Sequence, residues 1–143
     1  MTVQHELEIT FGDADPAGIA YYPRILDFCH RAFEAFFEKA VGEPYATTFL
    51  THNIGYPTVA LSAEFGAPMR FGERIVVSVS IEKVTTKSVT FVYAFRRAKD
   101  GVLCATVRNI AASTSRETFR AVPIPERHAR AFRGHLIANP KNP

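Results

Sequence analysis

The first eleven residues alternate. Val3, His5, Leu7, Ile9 and Phe11 fall on one face, and Gln4, Glu6, Glu8 and Thr10 on the other. A two-residue period is that of a strand with one face buried. The run stops at Gly12, and Gly12-Asp13-Ala14-Asp15-Pro16-Ala17-Gly18 has the composition of a turn. After it the period changes. At about 100° per residue, Ile25, Leu26, Phe28, Cys29, Ala32, Phe33, Phe36, Phe37 and Ala40 share one arc. Arg24, Asp27, Arg31, Glu34 and Glu38 take the other side. The apolar arc is wider than the roughly 100° stripe of a surface helix, so this helix is mostly enclosed. Pro23 suits its first position and Gly42 its end. His30 lies on the border of the arc.

From Pro57 onward the pattern is β. Val59, Leu61, Ala63 and Phe65 alternate with Thr58, Ala60, Ser62 and Glu64. Ile75, Val77, Val79 and Ile81 make a second run, and Val89, Phe91, Tyr93 and Phe95 a third. Asp100-Gly101 is a hairpin turn signal, and residues 102–114 form a less regular last strand. Pro125 to Phe132 reads as a short terminal helix. Strands joined by short turns pair antiparallel. The pattern therefore predicts an α+β fold, a five-stranded antiparallel sheet wrapped around one long helix. Serines and threonines on the outer face of that sheet predict partial exposure or a subunit contact. Residues 1–135 form one domain and 136–143 a tail, solvated over Asn139-Pro140-Lys141-Asn142-Pro143.

Composition narrows the class. A chain of 143 residues with 47% hydrophobic positions is one globular domain. No apolar run approaches the roughly 20 residues of a membrane span. Cys29 and Cys104 are too few for a disulfide scaffold and read as free thiols. The N-terminal segment carries charge early and has no apolar signal core, so the expected location is the cytoplasm. With 17 basic and 14 acidic residues the net charge is +3, too slight to name a partner. Basic residues do not interleave with aromatics as a nucleic-acid binder would require, so none is expected. Twelve Phe and no Trp mark a core built on rings.

Several chemistries are missing from the sequence: a Walker or dinucleotide loop, a zinc-spaced Cys/His set and a G-x-S-x-G elbow. The acidic turn before the helix remains. Asp13 and Asp15 suit capping and turn formation. The same position also suits catalysis, because free N–H groups at a helix start can hold a developing oxyanion while a carboxylate attacks or delivers water.

The run Phe11-Gly12-Asp13-Ala14-Asp15-Pro16-Ala17-Gly18-Ile19-Ala20-Tyr21-Tyr22-Pro23 resembles the signature of the 4-hydroxybenzoyl-CoA thioesterase family, within the hotdog-fold acyl-CoA thioesterases. Gly55-Tyr56-Pro57 and Ala63-Glu64-Phe65 extend the likeness, which covers roughly residues 5–125. The resemblance implies hydrolysis of an aroyl-CoA or a short to medium acyl-CoA, with Asp15 as nucleophile or general base. It implies that the Tyr22 backbone N–H polarises the thioester carbonyl and that Gly18, Ile19 and Tyr21 frame the substrate. His30 stands where family members acting on a para-hydroxylated ring carry an aspartate. Thr58, Ser62 and Glu64 are candidates for the second side of the pocket, and Glu34 is a minor rival for the catalytic carboxylate. Lys83, Thr85, Thr86 and Lys87 match the turn that meets the CoA phosphates. No metal or cofactor is implied, since CoA is part of the substrate. A homodimer or homotetramer with the site at the subunit interface is expected. Two other classes stay open: a non-catalytic acyl-CoA-binding domain, and an enoyl-CoA hydratase or dehydratase.

Overall fold

The structure, a computed structural model, describes residues 2–138. Strand β1 (Val3–Glu8) leads through the acidic turn into α1 (Tyr22–Phe36), which widens into a π-helical turn over Phe37–Val41. Gly42, at φ 90°, ends it as expected. A short helix α2 (Tyr45–Leu50) and strand β2 (Ile54–Gly55) follow. Then come β3 (Thr58–Phe65), β4 (Arg74–Val84), β5 (Ser88–Arg97), β6 (Leu103–Ala112), β7 (Thr114–Ser115) and α3 (Glu126–Arg133). The five long strands form one antiparallel sheet in the order β1-β4-β5-β6-β3. The helix α1 lies in its concave face, so the fold is the expected one.

The aromatic stripe holds the layers together. Phe33 and Phe36 meet Phe91 of β5 at ring-centroid distances of 5.3 and 5.8 Å, and Phe36 stacks on Phe132 of α3 at 6.0 Å. Each such ring pair adds about 0.5–1.5 kcal/mol beyond its buried area. Ile75, Val77, Val79 and Ile81 of β4 complete the floor, all fully buried.

Four features depart from the sequence pattern. Phe11 continues the alternation on paper, yet its ring is 82% exposed. The Asp13 carboxylate accepts from the Thr10 N–H at 3.0 Å and from the Thr10 hydroxyl at 2.8 Å, which turns the chain out of the strand before Phe11. Strand β3 alternates but is exposed on both faces over most of its length, because it is the edge beyond β6. On the outer face Ser78 is half-buried as expected, whereas Ser80, Thr90 and Thr106 are buried. Small side chains in a strongly curved sheet are shielded by their neighbours. Helix α2 and the two-stranded β2–β7 ribbon lie in segments too short for periodicity to reveal. At the C-terminal end, Ile81 donates to the His135 carbonyl and accepts from Ile137 N–H, both at 2.9 Å. The expected solvated stretch 139–143 lies outside the described residues.

A buried polar cluster fastens α3 to the end of α1. The Tyr56 hydroxyl lies 2.7 Å from His128 Nδ1, and His128 Nε2 lies 3.8 Å from a Glu43 oxygen. Burial opposes ionisation of Glu43, yet the Thr48 hydroxyl together with Arg127 and His52 holds it below the usual carboxylate range. Burial pushes His128 below its ordinary 6.5, against the pull of Glu43. A neutral histidine in the fold and a titrating one in the unfolded chain make stability fall as pH drops below about 6.5. The predicted slope reaches up to about 1.4 kcal/mol per pH unit until the folded histidine takes its proton. Protonation of Glu43 adds a second loss below about 4.5. His5, held below 6.5 by burial with Lys39 and Arg31 nearby, adds to the same loss. In urea titrations, His128→Asn therefore reduces the first loss and leaves the second; an unchanged slope between about pH 6.5 and 5.5 contradicts this.

Candidate active site

The acidic turn is stitched in place at both ends. Asp15 N–H donates to the Ile19 carbonyl at 3.0 Å, and Gly18 N–H returns to the Asp15 carbonyl at 2.9 Å. Gly18 takes φ 79°, a conformation that favours glycine. Ala20 N–H donates to the Met69 carbonyl at 2.7 Å, and Phe71 N–H to the Gly18 carbonyl at 3.0 Å. The β3–β4 connection thereby clamps the turn. One Asp15 carboxylate oxygen accepts the Ala17 N–H at 2.8 Å. Asp13 serves the Thr10 turn instead. Both aspartates make turns, and neither caps α1, whose N-cap is Tyr21 without a side-chain bond.

The start of α1 offers one free donor. Tyr21 N–H is committed to the Asp13 carbonyl at 2.8 Å, and Arg24 N–H to the Tyr21 carbonyl at 2.8 Å. Pro23 has no N–H. Among the described residues this leaves the Tyr22 N–H, at the first helical position, without an acceptor. Tyr21 and Tyr22 are both exposed, their rings 5.4 Å apart.

A cavity of about 360 Å³ opens between α1 and strands β3, β5 and β6. Leu26, Cys29, Phe33, Tyr45, Phe91 and Tyr93 make its apolar wall, and His30, Thr58 and Asn109 bring polar groups. His30 stacks on Phe33 at 5.7 Å and pairs through Nε2 with Glu34 at 3.0 Å. Glu34 is thus the partner of His30, on the exposed side of the helix. Asn109 donates to the Thr58 hydroxyl at 3.0 Å, while its own side-chain carbonyl is buried with no partner among the described residues. Burial pushes the Cys29 thiol up to about 12, so it is inert as a nucleophile at neutral pH.

The expected site residues therefore divide. His30 and Thr58 meet in the cavity, and Asp15, Gly18, Ile19, Tyr21 and Tyr22 share the turn and helix start. Asp15 is not among the residues lining the cavity. Ser62 does not join His30. Its alternation puts it on the outer face, where it lines a second hollow of about 520 Å³ with Lys83, Glu82 and Arg108. A β-bulge at Ile81/Lys83 turns Lys83 to that same side. Thr85, Thr86 and Lys87 form the exposed β4–β5 turn, in which Thr85 Oγ1 accepts from Ser88 N–H at 3.0 Å. The sequence pattern does not mark Tyr45, Tyr56 and Asn109 as cavity residues. The available signal for Asn109 was a polar residue at an inward position between Val107 and Ala111.

A family model described as the thioesterase-like superfamily matches residues 9–132. The chain belongs to the thioesterase-like superfamily. A 1,4-dihydroxy-2-naphthoyl-CoA hydrolase from Synechococcus sp. (strain RCC307) is 30% identical over 81% of this chain and 89% of its own. The structure of a gentisyl-coenzyme A thioesterase superposes with a TM-score of 0.80 at 26% identity, over 91% of this chain and 99% of that one. The 4-hydroxybenzoyl-CoA thioesterase from Pseudomonas sp. strain CBS-3 shares the fold, with a TM-score of 0.81 at 24% identity over 91% and 98% of the two chains. This thioesterase-like protein is a thioester hydrolase with a hotdog fold. Of the classes left open by the sequence, hydrolase is the one its relatives carry. No helix among its described residues is long and apolar enough to cross a membrane.

Proposed function

We propose that this protein hydrolyses aromatic acyl-CoA thioesters, with Asp15 as the catalytic carboxylate and the Tyr22 N–H as the oxyanion donor. The observation that carries the reading is the pairing of a clamped carboxylate turn with a helix start whose free donor is Tyr22. The donor suits an oxygen that gains charge as the carbonyl becomes tetrahedral. As nucleophile, Asp15 bonds to the acyl carbon, the C–S bond breaks to release CoA thiolate, and water then cleaves the mixed anhydride. As general base, Asp15 takes a proton from the water that attacks. A thiolate leaves readily, so no strong general acid is required on either route. CoA enters as part of the substrate, and the reading gives no role to a metal or a separate cofactor.

The acyl group we assign is a hydroxylated aromatic one. A relative acts on 1,4-dihydroxy-2-naphthoyl-CoA and a structural neighbour on gentisyl-CoA. The ring-lined cavity, with His30, Thr58 and Asn109 set among apolar side chains, suits such a group. Exposed Lys83 and Lys87 make no ion pair with described residues and suit CoA phosphates as point charges, with Thr85 and Thr86 beside them. Two free, buried cysteines fit the reducing conditions of a cytoplasm.

Strand β3 supports the expected self-association. It is a sheet edge that exposes Val59, Leu61 and Phe65, and such an edge needs cover. Pairing two copies there would complete a site whose carboxylate does not line the cavity of its own chain, and two such dimers would form the homotetramer. Light scattering at micromolar concentration is expected to give a dimer or tetramer, and Leu61→Lys to shift it toward monomer with loss of turnover. A monomeric wild type contradicts the composite site.

Asp15→Asn is expected to lower kcat by about a thousandfold or more on 4-hydroxybenzoyl-CoA or 1,4-dihydroxy-2-naphthoyl-CoA, while thioester affinity changes little. A kcat close to that of the wild type would remove Asp15 from the chemistry.

A further inference from the structure

We infer that the acyl cavity continues past His30 into a second subsite, in which Arg116 binds an anionic oxygen group carried by an aromatic ring. The subsite is a cavity of about 360 Å³ between α2 and the β2–β7 ribbon. His30, Tyr45, Tyr56 and Thr58 line both cavities, so the two adjoin at these side chains. Phe49, Arg116 and Phe119 belong to the second alone.

The guanidinium is positioned and only partly used. Arg116 Nη1 lies 3.3 Å from the Leu50 carbonyl and 3.3 Å from Asn53 Oδ1. Its Cζ sits 5.3 Å from the centroid of Phe49. Among the described residues no carboxylate pairs with it, and Nε and Nη2 meet no acceptor. Those two nitrogens form the planar fork that matches a carboxylate in two parallel hydrogen bonds. Tyr45, Phe49, His30 and Phe119 line the same cavity as Arg116, a lining suited to a flat aromatic group.

The backbone around the guanidinium is held in an unusual shape. Among the described residues, Asn53 and Phe119 are the non-glycine ones with positive φ, 58° and 56°, and both flank Arg116. The Asn53 carbonyl accepts the Arg116 N–H at 2.9 Å, and the Ser115 carbonyl accepts the Phe119 N–H at 2.8 Å. A bulky residue in the left-handed region is strained. The ring of Phe119 is 82% exposed, so burial within the chain does not offset that strain. A ligand ring against Phe119 would supply the missing contact.

An aromatic carboxylate can reach this subsite from two sources. It is either a distal substituent on the acyl group of the substrate or a free aromatic acid, such as the hydrolysis product. The first source rests on the thioesterase reading, and the second does not. One arm of the test measures kcat/KM for 6-carboxy-2-naphthoyl-CoA against its neutral 6-carbamoyl isostere. The other measures binding of 2-naphthoate by calorimetry, which needs no turnover. Wild type and Arg116→Gln are compared, with Arg116→Lys as the variant that keeps the charge and loses the fork. If the anion belongs to the acyl group, the wild type favours the carboxy thioester by about tenfold or more. Arg116→Gln then brings that ratio to about one through KM, leaves benzoyl-CoA hydrolysis unchanged, and Arg116→Lys restores only part. If a free acid is the occupant, the ratio stays near one and Arg116→Gln weakens 2-naphthoate binding by about tenfold. Absence of both effects in Arg116→Gln overturns the subsite. Absence of any thioester hydrolysis by the wild type overturns the thioesterase reading and leaves the calorimetric arm to decide the subsite.

Discussion

The rest of the structure depends on the burial of the aromatic stripe of α1 against the concave face of the sheet. Phe28, Phe33, Phe36 and Phe37 leave water together, and each needs a partner of matching shape. Phe91 fills the groove between Phe33 and Phe36, while Phe132 closes the far side of Phe36. With the stripe seated this way, the helix can neither rotate nor slide without opening a cavity. Removing one buried ring of this kind typically costs about 3–5 kcal/mol, a large share of the stability of a small domain. The helix axis is therefore a fixed reference.

Two functional consequences follow from that reference. The N-terminus of α1 is brought to one spot beside the clamped turn, so Asp15 and the Tyr22 N–H keep a set relation without any cap from a side chain. The stripe also ends short of the sheet edge. Beyond Phe33 the wall passes to His30, Tyr45 and Thr58, and the space left there is the cavity proposed for the acyl group. The Glu43–His128–Tyr56 cluster supports the same wall from behind, because Tyr56 lines the cavity with its ring and holds His128 with its hydroxyl. Stability and substrate shape thus rest on shared residues.

Periodicity revealed the parts of this arrangement that repeat. The alternation spans seven residues in each of β4 and β5, and the wide arc of α1 spans sixteen, enough to fix both element and buried face. It misled where a single local bond outweighs the pattern. The Asp13–Thr10 bonds cancel the strand at Phe11. Position in the sheet, which a pattern does not encode, left β3 exposed. The candidate site divides in the same way. The turn from Asp15 to Tyr22 is contiguous in sequence and carries a family signature, so it could be read directly. The pocket of His30, Thr58 and Asn109 joins three distant segments through strand register, and Arg116 comes from a loop without periodicity. Such residues become neighbours only once the chain has folded.

The central claim is that the helix start polarises the thioester carbonyl next to Asp15. Difference infrared spectroscopy of a carbonyl-¹³C aroyl-CoA bound to Asp15→Asn tests it most directly, since the bound thioester persists in that variant. The account predicts a carbonyl stretch at lower frequency than that of the same thioester in water, as expected for an oxygen held by a preorganised donor. A stretch at the frequency in water or above it would contradict the account.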